Sequence, residues 1–386
     1  MSLAFELPDP PSALLPVYDL LPFEPVSGRG VWLEAADGRR ILDFYGGHAV
    51  ALLGYRHPAL LAALQYQARQ LFFQSNAAPL AVRERAAARL AAFAPQGLDS
   101  VFFVNSGAEA NENALRLALR VTGRPAVVAL EGAFHGRTAA AGAVTWNARW
   151  YGFPRAPFDV RFVPREDPDA LAHALAAGQV GAVILEPVQG VAGAVDFSDD
   201  YLRAARKLTL EYGALLIFDE VQCGMGRSGH PFVADAAVVT PDLLTVAKGL
   251  AAGFPAGAVV VGAEIAATLK TGDLGTTFGG GPMACALIET TLEVIEREGV
   301  LADVRERAAQ IRASCVVGPV TGIQGRGLLV GLRTSRPARA IQRELLERGI
   351  LVGTSADPNV VRLLPPLTID AEHVAQLAEA LAGLPA

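Results

Sequence analysis

From Ser100 onward, short uninterrupted apolar runs alternate with longer stretches of helical periodicity. The runs Val101–Val104, Ala126–Leu130, Gly181–Leu185, Ala214–Phe218, Leu243–Val246 and Ala258–Val261 are four or five residues long. Having almost no polar alternation, they predict strands covered on both faces. Between them, Gly107–Arg120 and Asp199–Tyr212 read as helices. Alternating β and α elements predict an α/β fold, with helices packed around a mostly parallel central sheet.

The flanking segments read differently. Residues 1–30 are proline-rich and predict extended chain, and Val31–Asp43 carries Asp37-Gly38 between apolar stretches, a hairpin signal. Ala59–Phe72 reads as a helix. After Pro282 the order becomes two helices, a turn bearing Gly325 and Gly327, a strand, a helix, a strand at Val360–Leu363 and a final helix. We therefore expect an N-terminal segment (1–58) contributing to a small lobe, a large domain (59–275) and a smaller α+β domain (276–386).

Composition narrows the class. The chain has 386 residues, 52% hydrophobic and 19% charged, below the usual ~25% charged. This favours a large buried core and an oligomer. The net charge of -6 comes without a basic stripe, so nucleic acid is not an expected partner. Cys223, Cys285 and Cys315 lack metal-ligand spacing. They read as free thiols of a reducing compartment. The N-terminus has no basic leader. The longest uncharged run, between Lys248 and Glu264, is broken by Pro255 and glycines and falls short of the ~20 residues of a membrane helix. A soluble, cytoplasmic protein is expected.

Three features carry chemistry. In Asn105-Ser106-Gly107-Ala108-Glu109, Ser-x-x-Glu after a strand is a capping-box pattern, and it opens a helix N-terminus where a phosphate can bind. The same pattern also serves ordinary capping. Leu215–Glu220 is a strand ending in two acids, placed where open α/β sheets bind ligands; a structural cap or a magnesium ligand reads equally well, so Asp219 by itself is uninformative. Lys248 ends another apolar strand, and partial burial there would free its amine as a nucleophile; alone it reads as a solvated terminus. Together they match the needs of pyridoxal phosphate: a phosphate cup, a lysine for the aldehyde and an acid at the ring nitrogen. A nicotinamide enzyme would instead need Gly-x-Gly-x-x-Gly after a first strand with an acid further on, which is not found in that setting.

The chain resembles the class III (ornithine/acetylornithine type) aminotransferases of pyridoxal-phosphate fold type I over nearly its full length. The matching stretches run from Leu42-Asp43-Phe44 to His57-Pro58, then Asn105–Glu112, Phe134–Thr138, Glu186–Gly190, Phe218–Arg227, Ala247-Lys248, Thr276–Gly280 and Val361–Pro366. The resemblance implies that Lys248 holds the cofactor as a Schiff base and Asp219 pairs with its ring nitrogen. Ser106, Gly107 and Ala108 would serve the phosphate, Phe134 the ring face and Gln222 the phenolic oxygen. Thr277 would reach the neighbouring subunit's cofactor, making a homodimer with shared sites the active unit. Arg137 and Thr276 match substrate contacts, and Arg362 the fork for an α-carboxylate.

The implied reaction is transfer of the ω-amino group of N-acetylornithine to 2-oxoglutarate. A lysine or ornithine masked by an amino-group carrier protein comes next, on the strength of Val144-Thr145-Trp146, and ornithine, 4-aminobutyrate or other ω-amines third. A pyridoxal-phosphate-binding protein without activity is disfavoured by Lys248, Asp219 and Arg362. One departure bears on substrate. The family pattern Glu-Pro-Val-Gln-Gly-Glu here reads Glu186-Pro187-Val188-Gln189-Gly190-Val191, and Val191 cannot neutralise Arg362. Gly281 before Pro282, and Tyr55-Arg56 before His57-Pro58, are smaller departures.

Overall fold

The computed structural model describes residues 13–386. Its centre is a seven-stranded sheet in the order Ser100–Val104, Gly257–Val261, Leu243–Val246, Leu215–Asp219, Val180–Leu185, Ala126–Leu130, Asp159–Val163. Gly257–Val261 runs antiparallel to both its neighbours, and the other pairings are parallel. The inner strands are buried along their length, which is why they read as unbroken apolar runs. Gly107–Thr122 packs across the sheet, and Asp199–Tyr212 and Pro168–Ala176 pack together, the first also against Leu215–Asp219 and the second against Asp159–Val163 and Ala126–Leu130.

Asp159–Val163 was not anticipated. It is one of the two edge strands, only Val163 of it is buried, and its Asp159 and Arg161 break the apolar run. Outside this sheet, Trp32–Ala35 and Arg40–Asp43 form the expected hairpin, with Gly38 at φ +85° in its turn. Pro25–Arg29 adds a strand before it. The expected helix Ala59–Phe72 spans Pro58–Gln70, and Leu71 is already extended. The start of the proline-rich segment, residues 1–12, lies outside the described residues.

Pro282–Arg297 and Val300–Ser314 are the two expected helices, the first packed on Ala81–Phe93 and Pro58–Gln70. A second sheet follows in the order Val320–Arg326, Leu329–Thr334, Val360–Leu363, Gly353–Thr354. Gly325 therefore lies within a strand the sequence reading did not separate, and only Gly327 lies in the turn. Ile350–Leu351 pairs in parallel with Arg40–Asp43, joining the hairpin to this part of the chain. Among the described residues no helix is long and apolar enough to cross a membrane.

Candidate active site

A cavity of about 510 Å³ opens at the C-terminal ends of the parallel strands. Ser106, Gly107 and Ala108 line it from the start of the Gly107–Thr122 helix, with Phe134 and Arg137 from the loop after Ala126–Leu130. Asp219 and Gln222 line it from the end of Leu215–Asp219, and Lys248 from the end of Leu243–Val246. The sheet thus gathers eight of the expected residues at one place.

The helix start is a partial version of the predicted box. Ser106 Oγ accepts from Glu109 N (3.2 Å), but the Glu109 carboxylate accepts from Asn105 N (2.5 Å) rather than from the capping residue itself. This leaves the amides at the head of a sixteen-residue helix turned to the cavity, a setting that favours an anion. Glycine is required at 107: a Cβ there would lie 2.6 Å from Val221 Cγ1.

Asp219 is buried and held by three donors. Asn111 Nδ2 donates to its Oδ2 (2.7 Å), His135 Nδ1 lies 2.7 Å from the same oxygen, and Val221 N donates to Oδ1 (3.0 Å). Asn111 is fixed in turn, since its Oδ1 accepts from Thr245 Oγ1 (2.7 Å) and its Nδ2 also donates to His135 O (2.7 Å). Glu186, also buried, accepts from Phe134 N (2.9 Å). Burial, aided by the charge on Asp219, pushes its carboxyl up to about 7.

Lys248 sits at φ +44°, a left-handed conformation unfavourable for a residue with a Cβ. Burial pulls its ammonium below the ordinary lysine value, Asp219 and Glu186 oppose that, and Arg362 reinforces it. A buried amine of lowered basicity is a nucleophile in waiting.

Among the described residues Gln222 Oε1 is buried without a partner, and its Nε2 lies 3.5 Å from His48 O. An unpaired buried acceptor facing a cavity fits a ligand donor. Phe134 meets Trp150 edge-on at 5.1 Å, and the Arg137 guanidinium lies over both rings, 5.9 and 5.3 Å from their centroids. An anion cradle, an aromatic face, a held carboxylate and an amine of lowered basicity around one cavity fit pyridoxal phosphate.

Three expected residues do not line this cavity. Arg362 reaches its edge: Nη1 donates to Gly190 O (3.1 Å), and the next residue, Val191, lines the wall. Thr276 lies in an adjoining cavity and accepts from Gly279 N through Oγ1 (3.1 Å). Thr277 is exposed, and the role the resemblance gives it, towards a second subunit, is one that no contact within a single chain could fill. Residue-by-residue reading missed Asn111, His135 and Glu186, which lay within matched motifs without an assigned role. Of these only Glu186 carried a signal, an acid directly after the apolar run Val180–Leu185; Asn111 and His135 sit beside other polar residues, and nothing in the sequence pattern marks them. The order Gly224-Met225-Gly226-Arg227-Ser228-Gly229 does have Gly-x-Gly-x-x-Gly spacing, after a later strand. It folds into a turn whose glycines make room for Phe232 and Arg305 rather than into a strand-to-helix phosphate loop.

The family Aminotransferase class-III matches residues 17–384. An acetylornithine aminotransferase of Streptomyces coelicolor is 43% identical over 93% of this chain and 90% of its own length. The acetylornithine aminotransferase of Bacillus subtilis is 37% identical over 96% and 97%. Among solved structures, an ornithine aminotransferase from Toxoplasma gondii superposes with a TM-score of 0.89 at 30% identity, covering 96% of this chain and 91% of that one. A cavity built for an aldehyde and a phosphate, and likeness along almost the whole sequence, lead to one conclusion: the chain belongs to the class-III aminotransferases, pyridoxal-phosphate enzymes that exchange an amino group between a small amino donor and a keto acid.

Proposed function

We propose that this enzyme transfers the ω-amino group of N-acetylornithine to 2-oxoglutarate, giving the semialdehyde and glutamate, as a step of arginine biosynthesis. The observation that carries the reading is the 43% identity to an acetylornithine aminotransferase across nearly the full length of both chains. We place the enzyme in the cytoplasm, in keeping with three free, buried cysteines.

When bound, pyridoxal phosphate supplies the carbonyl that takes up the amine and a ring that draws off the charge left on the substrate carbon. The Gly107 and Ala108 amides hold its phosphate, with Ser106 shaping the turn. Phe134 covers the ring, Asp219 keeps the ring nitrogen protonated, and Gln222 contacts the phenolic oxygen. Lys248 Nζ would anchor the cofactor and would carry the proton to and from the substrate carbon. Arg137 and Thr276 hold the donor, and Arg362 takes the α-carboxylate of glutamate or 2-oxoglutarate.

Thr277 completes the neighbouring subunit's site in a homodimer. Support comes from Phe278, the next residue, and from Phe72, whose neighbour Phe73 packs on Phe278; Phe72 and Phe278 are each about two-thirds exposed (68% and 66%). We assign 59–275 to the cofactor-binding domain and 276–386, with the N-terminal segment 1–58, to the smaller lobe; the pairing of Arg40–Asp43 with Ile350–Leu351 supports that division.

Val191 in the cavity wall favours a second reading, in which free ornithine, 4-aminobutyrate or a carrier-linked lysine is the donor. The carrier argument weakens at Thr145. This side chain is taken up by His135 N, Gly136 O and Ala141 O, so it serves the fold. A panel of these donors, scored by conversion of the yellow enzyme to its pyridoxamine form, tests the choice. Preference for free ornithine or 4-aminobutyrate overturns it. A Lys248→Ala protein that still shows a borohydride-sensitive visible band overturns the anchoring role.

A further inference from the structure

The loop that carries Thr277 has little of its own to hold it. Thr276-Thr277-Phe278-Gly279-Gly280-Gly281 belongs to no strand or helix before Pro282, and its three consecutive glycines give it wide backbone freedom. Two bonds are internal: Gly279 N donates to Thr276 Oγ1 (3.1 Å), and Gly281 N donates to Phe278 O (3.0 Å). Thr277 itself is exposed, and its hydroxyl bonds no other described residue.

The grip comes from a distant part of the chain. Asn76 Nδ2 donates to Thr276 O and to Gly279 O, both at 3.0 Å. A primary amide has two hydrogens, so both are committed, and the two carbonyls they reach flank Thr277 and Phe278. Arg83 ties the segments together. Its Nε donates to Gly280 O (2.8 Å), while Nη1 and Nη2 donate to Ala78 O (3.1 Å) and Ser75 O (3.4 Å), on the turn that carries Asn76. Behind the loop lies the Ser100–Val104 strand, and a Cβ at Gly279 would stand 2.4 Å from Phe103 O. The loop is thus pressed on the sheet edge and bridged by Asn76, with Thr277 and Phe278 exposed between the two bridged carbonyls.

We propose that Asn76 is a positioning residue that acts across the dimer: by bridging the carbonyls on either side of Thr277, it presents that hydroxyl to the phosphate of the neighbouring subunit's cofactor. The proposal rests on the reading of Thr277 as completing the neighbouring site. A hydroxyl on an unbraced glycine loop would have to give up backbone freedom on meeting the phosphate, and affinity would fall by that cost. Asn76 removes the freedom in advance. Its side chain belongs to one subunit and its effect falls in the cavity of the other. Asn76 is exposed, so replacing it leaves the core intact.

The test uses mixed dimers of two differently tagged full-length chains, one of them carrying Lys248→Ala. Such a dimer has a single site where borohydride can fix the cofactor, and titration with pyridoxal phosphate gives that site's dissociation constant. With Asn76→Ala on the Lys248→Ala chain, the constant is expected to rise about tenfold, the scale of one hydrogen bond to a charged group. With Asn76→Ala on the chain that keeps Lys248, it should stay at the value of the parent mixed dimer. Asn76→Asp, of the same size but ionised and unable to donate, should repeat both results. Equal weakening in the two arrangements, weakening only in the second, or none in either overturns the proposal. So does a shift of the Asn76→Ala homodimer to monomer in sedimentation velocity, since the side chain would then be holding the interface itself. Thr277→Ala in the same two arrangements separates the layers. If it fails to weaken the partner's site, or if no mixed dimer forms, the reading of Thr277 falls and takes this proposal with it. If Thr277→Ala weakens that site and Asn76→Ala does not, the Asn76 proposal alone falls.

Discussion

Glu220 and Asp219 are neighbours in sequence with unlike surroundings. Asp219 faces the cavity among His135 and Asn111, while Glu220 turns the other way and accepts from Val233 N (2.7 Å) and Ala234 N (2.8 Å) in full burial. Period-two geometry at a strand end dictates opposite faces for the pair, but not which face holds the ligand. Only the family pattern decided that. Burial pushes the Glu220 carboxyl up to about 7 from an ordinary 4.5, against those two amides. Below pH 4.5 the folded and unfolded chains are both protonated there. Above it the unfolded chain ionises first, so stability falls as pH rises towards 7. The loss is on the order of 3 kcal/mol once the folded carboxyl ionises. Urea unfolding midpoints from pH 5 to 8 should show this decline, and Glu220→Gln should make it shallower, leaving the share that Glu186 contributes.

Among elements, the Gly107–Thr122 helix matters most for the site, because its first residue touches the strand-end loop that carries Asp219. Gly107→Ala puts a methyl group 2.6 Å from Val221 Cγ1 and must push the helix head off the cavity. The dissociation constant for the cofactor should rise about tenfold or more, a loss of roughly 1.4 kcal/mol or more of binding, with the fold retained. Val221→Ala in the same chain should recover most of the affinity, as measured by titrating apoenzyme with pyridoxal phosphate. The buried strands could be read from the sequence because burial on both faces leaves no polar position to blur them. Asp159–Val163 could not, since Asp159 and Arg161 interrupt its apolar positions, whereas the other edge strand, Ser100–Val104, keeps an unbroken apolar run from Val101 onward. The two-residue pairings at Ile350–Leu351 and Gly353–Thr354 are too short to have a period.

At the scale of the whole molecule, Phe73 packs on Phe278 at 5.4 Å between ring centroids, and Phe72 and Phe278 still offer most of their surface to water. That patch, beside Thr277, is where a second copy should sit. Phe278→Asp places a charge in it. The expected outcome is a shift from dimer to monomer in sedimentation velocity, with weaker cofactor binding because Thr277 no longer reaches a partner. A variant of wild-type size and affinity would remove this patch from the interface. The parallel pairing of Leu42 with Ile350 and of Asp43 with Leu351 matters before the protein is finished. A ribosome adding roughly 5–20 residues each second delivers the second strand about 300 residues, and so some tens of seconds, after the first. Throughout that wait Ile41 and Leu42, fully covered in the native fold, stand open on the nascent chain. Their shelter depends on translation running through residue 351, so premature termination before that point would leave a fragment with an adhesive end for chaperones and proteases to deal with.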